Sequence, residues 1–137
     1  SEMCIRDSSM DIIVKAAAVA DYRPKNVSSE KVKKQDGNMS IELERTDDIL
    51  KTLGERKNSQ FICGFSMETE NMLENSRKKL EKKNCDMIVA NNLKQDGAGF
   101  GGNTNIVTLI TKDDEVQLEK MTKDEVAEKI FDFILSR

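Results

Sequence analysis

Apolar and polar positions along the chain fall into two patterns, short unbroken apolar runs and longer stretches with a helical repeat. Residues 11–20, DIIVKAAAVA, form the first run, as expected for a strand buried on both faces of a parallel sheet. Asp21-Tyr22-Arg23-Pro24 breaks that run, and Pro24 keeps the residue before it out of the helical region. Residues 60–65 repeat the buried-strand pattern and end at Gly64-Phe65, with a polar loop predicted at 66–70. Residues 86–90 form a third such strand, ending in Asn91-Asn92. Between these runs the spacing predicts two helices. One is capped by Thr46 or Asp47, runs to about Arg56 and turns Ile49, Leu50 and Leu53 to one side. The other covers about residues 71–83, with Met72, Leu73, Ser76 and Leu80 as its apolar stripe and Asn84 as a left-handed closing residue.

The lysine-rich stretch 31–34 and the alternating stretch 39–44 flank a Gln35-Asp36-Gly37-Asn38 turn signal and are predicted to pair as a hairpin. Residues 95–104, QDGAGFGGNT, read as a Gly-rich loop; Gly97, Gly99, Gly101 and Gly102 do not form a dinucleotide or P-loop fingerprint. Residues 105–111 and 116–121 then pair as a second hairpin across a tight 112–115 connection. Thr122 and Glu125 make a capping box for a last helix running to about Leu135, with Val126, Ile130, Phe133 and Ile134 facing inward. Strands alternating with helices, closed by a hairpin, predict an α/β fold: a Rossmann-like doubly wound, mostly parallel sheet with an antiparallel edge hairpin. The domain is expected to be partial. A sheet of this kind normally opens with a βαβ unit carrying its phosphate turn, and only about ten residues precede the first strand here.

Composition narrows the function. The 137 residues fit one domain or a large piece of one, 37% hydrophobic and 34% charged. A net charge of −3 with interspersed signs gives no support to nucleic-acid binding. No apolar run approaches the roughly 20 residues that span a bilayer, and no signal-peptide core is seen, so the chain is read as cytoplasmic and without a membrane partner. Cys4, Cys63 and Cys85 are widely spaced, with no CxxC pair and no histidine in the chain. This argues against a zinc site and removes His-based nucleophile systems; Cys63 and Cys85 read as buried small hydrophobes, and no metal ligands are assigned.

In open α/β sheets ligands bind at the C-terminal ends of the strands. The strand tips carry Ala16, Ala17, Ala18 and Asp21 on the first, Gly64 and Phe65 on the second, and Asn91 and Asn92 on the third. Small alanines would let a flat ring lie against backbone, Phe65 could stack on a base, and Asp21 could accept hydrogen bonds from a ribose or base amino group. Lys79 and Lys83, four residues apart, share a helix face and could straddle a polyphosphate, with Lys31 folding over the same phosphates from the first hairpin. Taken singly, each residue is as well explained as a strand-end cap, a core aromatic or a solvated lysine face; their expected convergence on one sheet edge is what favours a ligand site.

The string AAAVADYRP at 16–24 resembles a signature of bacterial phosphopantothenate–cysteine ligases. So do EKVKK at 30–34, TDDIL at 46–50, GFSMET at 64–69, RKKLEKK at 77–83, DMIVANN at 86–92, and GF at 99–100 followed by Asn-Ile-Val at 105–107. The order and spacing of these blocks make the resemblance specific from about residue 11 to the end. It implies the C-terminal ligase domain of a bifunctional coenzyme A flavoprotein. There, 4'-phosphopantothenate and CTP give an acyl-cytidylate and pyrophosphate, and cysteine displaces CMP. It implies CTP and Mg2+ as co-substrate and accompanying metal, FMN only in a fused decarboxylase domain, and a homodimer built around the strands near the lysine-bearing hairpin. By matching position it implies nucleotide binding by Ala16, Ala17, Asp21, Asp47, Asp48, Ile49, Leu50 and Phe65. Lys31, Lys79 and Lys83 would hold the triphosphate, with Lys31 the catalytic lysine on a closing flap. Asn91 and Asn92 are assigned to the substrate. Adenylation-type chemistry needs positioning and positive charge rather than a protein nucleophile, which suits a chain without histidine. Residues 1–9 do not resemble the family and read as translated adapter sequence. Residues 1–10 are therefore set apart from a partial ligase domain at 11–137, and the family's Gly-rich loop and ITN-x-SSG-like stretch are expected in a missing N-terminal half. The alternatives are a non-catalytic nucleotide-binding or dimerisation module and a Rossmann-type oxidoreductase domain.

Overall fold

The computed structural model of the chain describes residues 9–33, 36–92 and 102–137. A five-stranded sheet organises them in the order β1 (Ile12–Lys15), β4 (Phe61–Glu68), β5 (Met87–Asn92), β7 (Val107–Thr111), β8 (Glu115–Gln117). The first three strands run parallel, and β7 and β8 continue the sheet antiparallel. This is the mixed α/β, Rossmann-like arrangement expected, with its antiparallel edge.

The sheet is covered on both faces. Helix α1 (Ile49–Arg56) and helix α2 (Met72–Lys82) lie on one face, where Leu50, Leu53 and Leu80 pack with Ile62, Ile88 and Ile110. Helix α3 (Lys123–Leu135) covers the other, packing Val126, Ile130 and Ile134 on Cys63, Met87, Val89 and Leu109. Strands β4, β5 and β7 are therefore apolar on both sides, and their runs read as continuous rather than alternating. Strand β1 is different. It has one hydrogen-bonded neighbour, its residues are only half-buried, and it ends at Lys15 opposite Gly64. Residues 16–20, expected inside a buried strand, run on without pairing and are exposed, because no neighbour among the described residues covers them.

The hairpin expected between 31–34 and 39–44 is replaced by another pairing. Strand β2 (Tyr22–Pro24) pairs antiparallel with β3 (Leu43–Arg45), and Lys25 N–H donates to Glu42 O at 3.0 Å. Cross-strand ion pairs hold this ribbon, Arg23–Glu44 at 2.8 Å and Lys25–Glu42 at 2.7 Å, with the Arg45 guanidinium over the Tyr22 ring at 5.9 Å. The arms are set by these pairs; Lys34 and Gln35 of the expected hairpin lie outside the described residues, and Gly37 is exposed. Strand β4 also runs further than expected, since Ser66, Met67 and Glu68 pair with Ala90, Asn91 and Asn92 and carry β5 through both asparagines. Leu73, placed on the inner stripe of α2 by spacing, is 39% exposed.

Other local features follow the sequence. Asn84 takes φ 51°, and its N–H and that of Cys85 donate to Glu81 O and Leu80 O, the paired bonds of a Schellman end. Thr122 and Glu125 form the capping box that starts α3. Strand β9 (Met121–Thr122) pairs not with β7 but with β6 (Thr104–Asn105), so the second hairpin is shorter than its expected 116–121 arm. Residues 1–8 and most of the Gly-rich loop lie outside the described residues.

Candidate functional site

The C-terminal ends of β1, β4 and β5 place Lys15, the 64–68 stretch and Asn91-Asn92 side by side. Helices α1 and α2 lie together on one face of the sheet, with Leu50, Leu53 and Leu80 in one buried cluster along the seam between them. The seam is closed at one end by Gly54. A Cβ there would stand 1.8 Å from Lys83 O, so only glycine lets the backbone of α1 touch the end of α2. Asn84 Nδ2 locks the same junction by donating to Gly54 O at 2.9 Å.

Lys79 of α2 and its C-cap residue Lys83 reach into this seam. Lys79 Nζ donates to Phe65 O at 2.7 Å, and Lys83 Nζ donates to Asp48 Oδ2. Asp48, rather than Thr46 or Asp47, is the cap of α1: its Oδ1 accepts from Lys51 N–H at 2.9 Å. Thr46 is diverted to the neighbouring loop, where its hydroxyl donates to Ala20 O and its N–H to Asp21 O at 3.0 Å. Partial burial works to raise the Asp48 carboxyl, but the hydrogen bonds from Lys83 and Lys51 and the positive charge of Lys83 and Lys79 hold it below its ordinary value. The Lys83 side chain is only 15% exposed, so its ammonium is held against Asp48 rather than fully solvated.

Among the expected residues the contacts join Phe65 O to Lys79 and Asp48 to Lys83; Asp47 and Ile49 flank Asp48 in the chain, and Asp21 comes near through its carbonyl, which accepts from Thr46 N–H. Leu50 is buried against Gly64, where an added Cβ would meet Leu50 Cδ2 at 2.8 Å. Ala16 and Ala17 are exposed just beyond β1. The Phe65 ring is half-buried with the cluster beneath α3, while its carbonyl serves the α1–α2 side. Asn91 is half-buried at the tip of β5 beside Met67. Lys31 is exposed in the connection between β2 and β3.

Residues not singled out by the sequence also stand here. Lys15 Nζ donates to Ala17 O at 2.6 Å and fixes the turn out of β1. Glu68 accepts from Ser66 Oγ at 2.7 Å and Asn75 Nδ2 at 3.2 Å at the tip of β4. The extension of β4 through GFSMET brings Glu68 into place, and the apolar pattern gave no sign of it. The thiols take no part: burial pushes Cys63 up to about 12 and Cys85 up to about 11. No group of three or more metal-ligating side chains occurs among the described residues, and no helix there is long and apolar enough to cross a membrane.

Comparison with known proteins bears on the same residues. The family described as DNA/pantothenate metabolism flavoprotein C-terminal domain matches residues 2–137. The coenzyme A biosynthesis bifunctional protein CoaBC of Bacillus subtilis (strain 168) is 55% identical over 111 residues, 81% of this chain and 27% of that protein. A cysteine/cysteine sulfinic acid decarboxylase from an unknown prokaryotic organism is 45% identical over 128 residues, 92% of this chain and 36% of that protein. A crystal structure of the C-terminal domain of a CoaBC protein superposes with a TM-score of 0.76 at 44% identity, covering 97% of this chain and 58% of that one. The chain therefore spans about a quarter to a third of the curated relatives it matches. On the family match, the identity to CoaBC and the shared fold, the chain belongs to the DNA/pantothenate metabolism flavoprotein C-terminal domain family.

Proposed function

We propose that the chain is the nucleotide-handling part of a phosphopantothenate–cysteine ligase that uses CTP, acting in coenzyme A biosynthesis. The observation that supports the reading is a pair of ammonium groups, those of Lys79 and of the α2 C-cap residue Lys83, held against Phe65 O and Asp48. A triphosphate lying there would take Lys79 and Lys83 on its phosphates, with Lys31 closing over it from the β2–β3 connection. The base would lie against Ala16, Ala17 and Phe65, within reach of Asp21 and the 47–50 turn.

In this reading the carboxylate of 4'-phosphopantothenate attacks the α-phosphorus of CTP. The new C–O–P bond forms as the bond to the β-phosphate oxygen breaks, and pyrophosphate leaves. The amine of cysteine then attacks the acyl carbon of the cytidylate and CMP departs. Both steps bring anions together, so cationic charge and alignment are the protein's contribution. Mg2+ would neutralise phosphate charge; with no group of three metal-ligating side chains among the described residues, the cation would be carried in by the phosphates rather than held in a protein cage. In this reading Asn91 and Asn92, paired with Met67 and Glu68 at the end of β5, would meet the substrate. FMN would belong to a fused decarboxylase domain, outside this chain. The exposed apolar side chains along the β2–β3 ribbon and its connection support a homodimer through that face.

Thermal unfolding with CTP, ATP and NADP, each with Mg2+, tests the reading. At a hundredfold over its dissociation constant, a ligand should stabilise by about 2.7 kcal/mol, a shift of several degrees. A shift with CTP above that with ATP is expected. A shift with NADP alone would replace the ligase reading with a dinucleotide-binding one.

A further inference from the structure

Lys83 does not wait in solvent for a ligand. Its stem is buried between α1 and α2, and its ammonium is already paired with the cap residue of α1. Both oxygens of Asp48 are engaged, Oδ1 on Lys51 N–H at 2.9 Å and Oδ2 on Lys83. The carboxylate stands over the first turn of a helix, close to a second ammonium from Lys79. An anion at a helix start beside two ammonium groups has the surroundings a phosphate oxygen would seek.

We infer that Asp48 is an internal stand-in for phosphate, which pairs with Lys83 and must be displaced when a polyphosphate binds. The inference rests on the nucleotide reading above and adds to it a competitor built into the chain. The exchange breaks no covalent bond. The Lys83 ammonium passes from a carboxylate oxygen to a phosphate oxygen, and Asp48 keeps its bond to Lys51 N–H, so the start of α1 is not undone. The competition holds Lys83 extended and makes its release depend on an anion strong enough to outbid one carboxylate. A triphosphate does so more readily than a monophosphate, which gives the site a preference for the substrate nucleotide over the departing CMP.

Asp48→Asn separates the two duties of the residue, because asparagine caps a helix as well as aspartate but carries no charge. Calorimetric titration of the 137-residue chain with inorganic triphosphate and with CTP is the measurement, made on the native chain, Asp48→Asn, Lys83→Met and the double variant. Asp48→Asn should bind triphosphate roughly fivefold more tightly, the scale of a partly exposed ion pair. That gain should vanish in the Lys83→Met background. Unchanged or weaker binding by Asp48→Asn would overturn the inference while leaving the nucleotide reading intact. An equal gain with Lys83→Met would also overturn it, since it would reflect general repulsion and not competition for Lys83. If neither the native chain nor Asp48→Asn bound triphosphate or CTP, the nucleotide reading and this inference would fall together.

Discussion

Gly54 shows how one missing methyl group can decide a site. The residue is helical, so glycine there is unfavourable by propensity, and spacing alone gives no reason for it. Its place is set by Lys83 O, the backbone atom that an added Cβ would strike. Gly54→Ala should therefore destabilise the chain by about 2–3 kcal/mol through overpacking against backbone. Gly64→Ala should do less harm, because its nearest contact is the mobile end of Leu50. Urea unfolding checks both: a lower midpoint at constant slope is expected for Gly54→Ala, and an unshifted midpoint would refute the contact. Residue types that work alone were legible in the sequence. Asn84 is one, since few residues accept the left-handed conformation. Asp48 was legible only as part of the resembling TDDIL block. Choosing it over Thr46 and Asp47 as the cap needs the neighbouring loop, which takes the Thr46 hydroxyl and amide.

At the level of elements, the helices held up best because their signals are local. The α3 capping box lies within four residues, and each partner satisfies an amide of the other. Thr122→Ala should weaken the chain by about 1 kcal/mol, and Thr122→Ser should restore most of that loss, with both read from denaturant midpoints. A strand is different, because its partner is chosen across the chain. The hairpin expected from the turn at 35–38 gave way to Tyr22–Pro24 against Leu43–Arg45, where opposite charges face each other at Arg23–Glu44 and Lys25–Glu42. Turn residues describe where the chain can reverse, but cross-strand pairs decide which residues meet.

On the scale of the whole molecule, the five-stranded sheet and the β2–β3 ribbon differ in what they leave open. The central strands are sealed between α1 and α2 on one side and α3 on the other. The β2–β3 ribbon and its connection instead expose Tyr22, Val27, Val32, Met39, Ile41 and Leu43, from 52% to 85%. If this face joins two copies, sedimentation should show a dimer for the native chain and a monomer for the double variant Val32→Asp, Ile41→Asp. A native chain that sediments as a monomer at every concentration would reject the homodimer. The variant should keep its unfolding midpoint measured as a monomer, because neither side chain is part of the core.

The sequence by itself determined the class of fold, since the period of apolar positions separates buried strands from amphipathic helices without reference to partners. It also supplied the candidates for the proposed nucleotide site, because charge, size and ring are properties of the residue. Tertiary structure alone decided which of these meet. Lys79 and Lys83 lie on one helix in any reading, but only the packing of α1 against α2 turns them toward Phe65 O and Asp48. The physical reason is that a lysine's free energy is set by the anion or water its ammonium reaches, and that partner lies far away in the chain.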